Sequence, residues 1–156
     1  MGKAQLLVLL DEAGVGYELL PHDRTEEALL EASTLGVDPA DVGKTLVVTT
    51  RGGYVRAVLP ASERLDLHKV RELLGTPGKR THLATEEDLE RDYAEFEVGA
   101  VPPLGGNRRD AVLVDRRLAE REWIVFEAGS HEESIRLAAA DLVRLAEARV
   151  ADICAD

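Results

Sequence analysis

Apolar residues recur with helical spacing in five parts of the chain, and a glycine follows three of them. Residues 3–13 place apolar side chains on one side and are followed by Gly14, as is typical of a helix end. Thr85 precedes three acidic residues in the pattern of a capping box. The predicted helices span residues 3–13, about 25–35 with Thr25 as the N-cap, 66–74, 85–93 and 138–148, and residues 38–41 form a single turn.

Other segments are short, apolar and rich in β-branched residues. Residues 45–50 and 54–59 flank Gly52-Gly53, which predicts a β-hairpin with a tight turn. Shorter strands are predicted at residues 17–20, 81–83, 111–114, 123–126 and 134–137. Residues 98–107 contain three glycines and two prolines and are predicted to form a loop.

The order of these elements mixes hairpins and helices without a regular βαβ alternation. It therefore favours an α+β fold over a doubly wound one. The length of 156 residues suits one domain spanning residues 1–156. Apolar residues make up 45% of the chain and charged residues 31%, enough to build a core and to argue against disorder.

Composition also indicates where the protein works. The single cysteine, Cys154, cannot form an intramolecular disulfide, which fits a reducing compartment. The N-terminal apolar run of residues 6–10 is too short for a signal peptide or a membrane span. We therefore expect a cytoplasmic protein with no membrane partner.

Charge is distributed unevenly along the chain. The net charge is −11, yet residues 43–80 carry eight basic and three acidic side chains. Two interpretations of this basic segment remain open: a chance cluster on a solvated face, or a local platform for phosphate groups.

The sequence lacks the motifs of several common enzyme classes. The four histidines have no metal-ligand spacing, so no metal and no cofactor is expected. No Gly-x-Ser-x-Gly motif is present to supply a serine nucleophile. Gly43-Lys44-Thr45 matches the end of a P-loop, but position 38 is aspartate and the lysine enters a strand rather than a helix.

Two features remain: a lysine at a strand start, and the Gly/Pro loop some sixty residues later. Each has an ordinary explanation, as a surface lysine or a rigid turn. Together with their surroundings, however, they resemble the YbaK / aminoacyl-tRNA synthetase-associated domain family, which includes the editing insertion of bacterial prolyl-tRNA synthetases. The matching segments are residues 17–22 (YELLPH), 35–48 (LGVDPADVGKTLVV), 57–61 (AVLPA), 65–70 (LDLHKV), 98–105 (VGAVPPLG), 112–115 (VLVD) and the tail from 135 to 153.

The resemblance implies a single domain with a mixed, mostly antiparallel and barrel-like sheet surrounded by helices. It implies a metal-independent hydrolase that cleaves the ester of mischarged tRNA with help from the substrate's own ribose. Lys44 matches the family's essential lysine, expected to hold the terminal phosphate or ribose. Gly99 matches the loop glycine, where backbone N–H groups can stabilise an oxyanion.

Further substrate-binding positions follow from the same resemblance. Two residues depart from the pattern: Pro102 stands where relatives often have a small polar residue, and Ser134 where cysteinyl-type deacylases often have an acid. Pro103 is expected to fix the shape of the loop. The positions expected to bind substrate are Tyr17, His22, Thr45, Pro102, Pro103 and Ser134.

The expected substrate is Cys-tRNA(Pro), followed by Ala-tRNA(Pro), and prolyl-tRNA synthetase is a possible partner besides the tRNA acceptor end. Pocket shape separates small side chains by only about 1–3 kcal/mol, so the sequence does not rank them firmly. Two alternatives stay open: a non-catalytic tRNA- or synthetase-associated binding module of the same fold, and a hydrolase of free amino-acid esters.

Overall fold

The computed structural model describes residues 2–75 and 80–156, and its elements follow the predicted order closely. The helices are α1 (Gly2–Ala13), α2 (Ala28–Leu35), α3 (Leu67–Leu74), α4 (Glu86–Asp92), α5 (Arg116–Ala119) and α6 (Ala139–Leu145), with a 3₁₀ turn at Pro39–Asp41. The strands are β1 (Tyr17–Pro21), β2 (Gly43–Thr50), β3 (Gly53–Pro60), β4 (His82–Leu83), β5 (Ala111–Asp115), β6 (Trp123–Ser130), β7 (Glu133–Ala138) and β8 (Arg149–Ala151).

The strands form two sheets, with an order of β1-β7-β6 in one and β4-β2-β3-β5-β8 in the other. The first sheet is antiparallel, whereas β3, β5 and β8 run parallel in the second. A bridge between Val42 and Val125 connects the two sheets. The predicted α+β class and mixed, mostly antiparallel pairing are confirmed, although the strands do not close into a single barrel.

Local signals explain most of the element ends. Gly36 and Gly75 follow α2 and α3 in the left-handed conformation, with φ of 68° and 64°, which a residue with a side chain adopts less readily. Asp66 caps α3 by accepting from two backbone N–H groups. The predicted capping box of Thr85 is also present. The hairpin turn pairs Thr50 with Gly53.

The apolar residues gather in two main clusters: the first contains side chains from both sheets, and the second contains side chains from the five-stranded sheet. The first joins α1 and α6 to β6 and β7 through Leu6, Phe126, Ile135 and Leu142, among others. The second packs α3 and the C-terminal segment against β2, β3 and β5. The two clusters fix the sheets relative to their helices, and the loop at residues 98–107 runs beside both β3 and β6.

Two predictions about individual elements were wrong, and one strand was not predicted. Thr25 does not cap a helix: it is buried, its N–H bonds to the His131 carbonyl at 2.9 Å, and α2 begins at Ala28. The last helix ends at Leu145 rather than about residue 148. Beyond it, residues 149–151 form β8 by pairing with β5. Among the described residues, no helix is long and apolar enough to cross a membrane.

Candidate active site

The start of β2 and the Gly/Pro loop meet at a cavity of about 250 Å³. Lys44 and Thr45 line one side, and the loop lines another, so three of the predicted site residues share this space. The full lining consists of Glu26, Ala28, Glu31, Gly43, Lys44, Thr45, Leu46, Gly99, Ala100, Val101 and Glu127. Burial lowers the pKa of Lys44, with a smaller contribution from the positive charge of Arg64.

Lys44 is the member of the basic segment 43–80 that lines this cavity, among the residues that the structure describes. Arg56 is buried, and Lys69 forms ion pairs with Asp152 and Asp156. Lys79 lies outside the described residues. The basic segment is therefore dispersed in space, and a phosphate platform made of the whole segment is not what the fold builds.

Gly99, Ala100 and Val101 are the loop residues that line the cavity. Gly99 has a φ of 85°, which strongly favours glycine at this position. The Ala100 N–H is already bonded to the Glu97 carbonyl at 3.0 Å. Within residues 2–75 and 80–156, no acceptor is found for the N–H groups of Gly99 and Val101. Of the three loop residues that line the cavity, these two therefore have an N–H group with no partner among the described residues.

The side chain of His131 is hydrogen-bonded to Val98, the first residue of the loop. Its Nε2 donates to the Val98 carbonyl at 2.8 Å, and its Nδ1 lies 2.8 Å from Glu127 Oε2. The Val98 carbonyl can only accept, which places a proton on Nε2, whereas the direction of the bond between Nδ1 and Glu127 depends on which of the two groups carries the proton. Burial, and then the charges of Glu31 and Glu97, raise the pKa of Glu127 to about 9, which fits a protonated carboxyl.

Arg56 anchors the rest of the loop. Its guanidinium is 1% exposed and donates to the carbonyls of Pro102 at 3.0 Å and Gly105 at 2.9 Å. It also pairs with Asp110 at 3.4 Å. The loop is therefore tied to the protein interior at three of its carbonyls, counting Val98.

Three glutamates line the cavity: Glu26, which is exposed, and Glu31 and Glu127, whose largely buried side chains the sequence did not single out. Burial raises the pKa of Glu31. The chain has thirty acidic residues, and motif searches do not distinguish these two. Helical spacing could have indicated that Glu31 is buried. It lies three residues after Ala28 and four before Leu35, which places the three residues on one face of the helix.

Ser134 and His22 lie behind Glu31 rather than in the cavity lining. The buried Ser134 hydroxyl donates to Glu31 Oε2, and His22 Nε2 lies 2.9 Å from the same hydroxyl. Both predicted residues are thus connected to the cavity lining through Glu31.

The remaining predicted positions are placed elsewhere. The Tyr17 hydroxyl donates to Asp11 at 2.9 Å, and its ring packs against the first apolar cluster. Pro102 is buried with its carbonyl on Arg56. Pro103 lines a different cavity of about 410 Å³ on the Arg56 side of the loop. That larger cavity lacks the combination of lysine, loop N–H groups and buried carboxyls.

The chain belongs to the aminoacyl-tRNA editing domain family, whose model matches residues 22–145. It is 26% identical over 148 residues to the multifunctional Ser/Thr-tRNA deacylase ProXp-y of Escherichia coli K12, covering 92% of this chain and 87% of that protein. It is 28% identical over 123 residues to EbsC of Enterococcus faecalis, a candidate Cys-tRNA(Pro)/Cys-tRNA(Cys) deacylase, covering 78% and 73%.

A solved structure supports the same assignment. The fold matches the crystal structure of a candidate trans-editing enzyme for prolyl-tRNA synthetase with a TM-score of 0.86 and 25% identity. The match covers 99% of this chain and 97% of that one. The resemblance found in the sequence is thereby confirmed at the level of the family and the fold.

Proposed function

We propose that this protein is a free-standing aminoacyl-tRNA deacylase that hydrolyses the ester of mischarged tRNA, with its active site between Lys44 and Gly99. The observation that carries the proposal is the opposition of a half-buried lysine to two unused backbone N–H groups across one small cavity. The matches to two deacylases support it.

The reaction adds water across the ester. The oxygen of water bonds to the acyl carbon, the bond from that carbon to the ribose oxygen breaks, and the ribose oxygen leaves with a proton. Charge builds on the carbonyl oxygen, where the N–H groups of Gly99 and Val101 can stabilise it. Lys44 holds the terminal phosphate or ribose by charge. A hydroxyl of the terminal ribose positions the water, so neither a protein nucleophile nor a metal is needed.

The amino acid removed is a small one. We place Cys-tRNA(Pro) first and Ala-tRNA(Pro) second, and the cavity of about 250 Å³ fits either side chain. The two deacylase relatives carry different specificities in their names, Ser/Thr in one and Cys in the other. Prolyl-tRNA synthetase is the proposed protein partner, and the cytoplasm, where tRNA is charged, is the proposed compartment.

A deacylation panel tests this function. Purified protein is incubated with tRNA(Pro) carrying Cys, Ala, Ser, Thr or Pro, and the remaining aminoacyl-tRNA is followed with time. We expect Cys-tRNA(Pro) to be hydrolysed fastest and Pro-tRNA(Pro) to survive. Survival of all five substrates would instead favour a binding module. Equal rates on the matching aminoacyl-adenosines would favour a hydrolase of free esters.

A further inference from the structure

Glu31 is a buried carboxyl with one oxygen bonded and one left over. The residue is 1% exposed and lines the cavity. Its Oε2 accepts from Ser134, whereas its Oε1 is buried and has no hydrogen-bond partner among the described residues. Buried polar atoms in proteins are nearly always bonded, so an unbonded carboxyl oxygen indicates that a further partner belongs there.

The chemistry of that partner follows from what surrounds Glu31. Glu127 lines the same cavity, and it lies near enough to Glu31 for the charge of Glu31 to contribute to the raised pKa of Glu127. A cation beside a buried carboxyl favours the ionised form of that carboxyl, and a cation that also donates hydrogen bonds would satisfy Glu31 Oε1. Lys44 does not fill this role, because no bond from its ammonium to either carboxyl is formed.

The substrate proposed above brings such a group to the site. An aminoacyl ester carries its α-amino group on the carbon next to the reacting carbonyl, and α-amino groups have pKa values near 7.7–8.0. If the carbonyl oxygen lies at the loop N–H groups, the α-ammonium must lie within a few ångströms of the same point. The phosphate lies at the opposite end of the terminal nucleotide, where Lys44 offers the positive charge.

We propose that Glu31 is the residue that recognises the α-ammonium group of the aminoacyl moiety, with Glu127 beside it. The cavity lining then supplies a carboxyl for the ammonium group and Lys44 for the phosphate. Ser134 and His22 act as positioning residues, because they fix the orientation of the Glu31 carboxyl. This inference rests on the proposed deacylase function, which supplies the ligand.

Two pairs of ligands test the inference on the unmodified protein. The first pair is amide-linked aminoacyl-adenosine, which cannot be hydrolysed as an ester, and its α-hydroxy counterpart, compared by calorimetry. The second pair is alanyl-tRNA(Pro) and lactyl-tRNA(Pro), compared by kcat/KM. Each pair differs only in an ammonium group against a neutral hydroxyl of similar size. We expect the ammonium ligand to be favoured at least tenfold in both measurements.

Variants then assign the preference to a residue. Glu31→Gln should weaken binding of the ammonium ligand at least tenfold and of the hydroxyl ligand less than threefold. Glu27→Gln is the matched control, since Glu27 is exposed, lies outside the cavity lining and makes no side-chain cap. It should behave as the unmodified protein does.

The outcomes separate the two proposals. Equal affinities of the unmodified protein for both ligands would overturn the role of Glu31, even if the variant fails to fold. Equal weakening of both ligands by Glu31→Gln would also overturn it, because it would indicate a structural role only. A clear ammonium preference without hydrolysis of any tRNA ester would retain the binding role and remove the deacylase function.

Discussion

Arg56 is the cation on which the shape of the active-site loop depends, and replacing it should destabilise the protein strongly. Its guanidinium is 1% exposed and bonds the carbonyls of Pro102 and Gly105. Arg56→Met removes the charge and keeps most of the aliphatic stem. The substitution leaves two loop carbonyls without these donors and takes one cation from Asp110, whose side chain is only 5% exposed.

The expected loss can be sized from these contacts. Removing one partner of a buried ion pair costs about 3–5 kcal/mol. Asp110 retains Arg108 at 3.3 Å and the hydroxyl of Tyr93, which places the loss near the lower end, at about 3 kcal/mol. That is a large part of the roughly 5–15 kcal/mol by which domains are stable. The freed loop should also lower kcat/KM.

Urea unfolding with linear extrapolation measures the change in the free energy of unfolding. Arg51→Met serves as the control, since Arg51 is exposed in the hairpin turn and should change stability by less than about 0.5 kcal/mol. A loss of under about 1 kcal/mol for Arg56→Met would refute the view that buried bonds to this arginine hold the loop.

Three further predictions concern the cavity itself. Lys44→Ala should lower kcat/KM for Cys-tRNA(Pro) more than tenfold without shifting the unfolding midpoint, and normal turnover would remove the lysine from the mechanism. Gly99→Ala forces a side chain onto a φ of 85°, so kcat/KM should fall about tenfold and the free energy of unfolding by about 1–3 kcal/mol. Gly36→Ala is the control, because Gly36 also has a positive φ but faces open space; this variant should lose stability and keep its activity. Burial raises the pKa of Glu127 to about 9, so the unfolded chain ionises at lower pH than the folded protein, and stability falls as pH rises from about 4.5 toward 9. In Glu127→Gln that fall should be smaller, as measured by urea unfolding at pH 5, 7 and 8.5. An equal pH dependence of stability in the variant and the unmodified protein would mean that the folded carboxyl is ionised.

Local signals in the sequence predicted the elements well where the deciding interaction is itself local. Gly36, Gly75 and the Thr85 capping box act within a few residues of the ends they define. Thr25 failed as an N-cap because its N–H is taken by His131, more than a hundred residues away. Likewise β8 has no strand pattern of its own and exists because β5 offers it an edge.

The residues of the candidate site also differ in whether local sequence was enough to predict them. The position of Lys44 and Gly99 beside one cavity could be predicted because the family resemblance carries them in recognisable segments, and their roles stay predictions. Glu31 and Glu127 could not, because their significance comes from meeting across two different elements in a buried place. Ser134 was assigned to substrate binding and instead lies behind Glu31. A motif records which residues are present, whereas burial and long-range hydrogen bonds decide which of thirty carboxylates matter.

The two prolines of the loop reduce the number of backbone N–H groups that it can offer to a ligand. The carbonyls of Val98, Pro102 and Gly105 are taken by His131 and Arg56. Pro102 and Pro103 have no N–H to offer. With the Ala100 N–H bonded within the loop, only Gly99 and Val101 retain free donors over residues 99–103. If the proposed deacylase mechanism holds, the sequence of this loop therefore leaves Gly99 and Val101 as its oxyanion donors, and the contacts from Val98 through His131 to Glu127 connect them to the carboxyl side of the cavity.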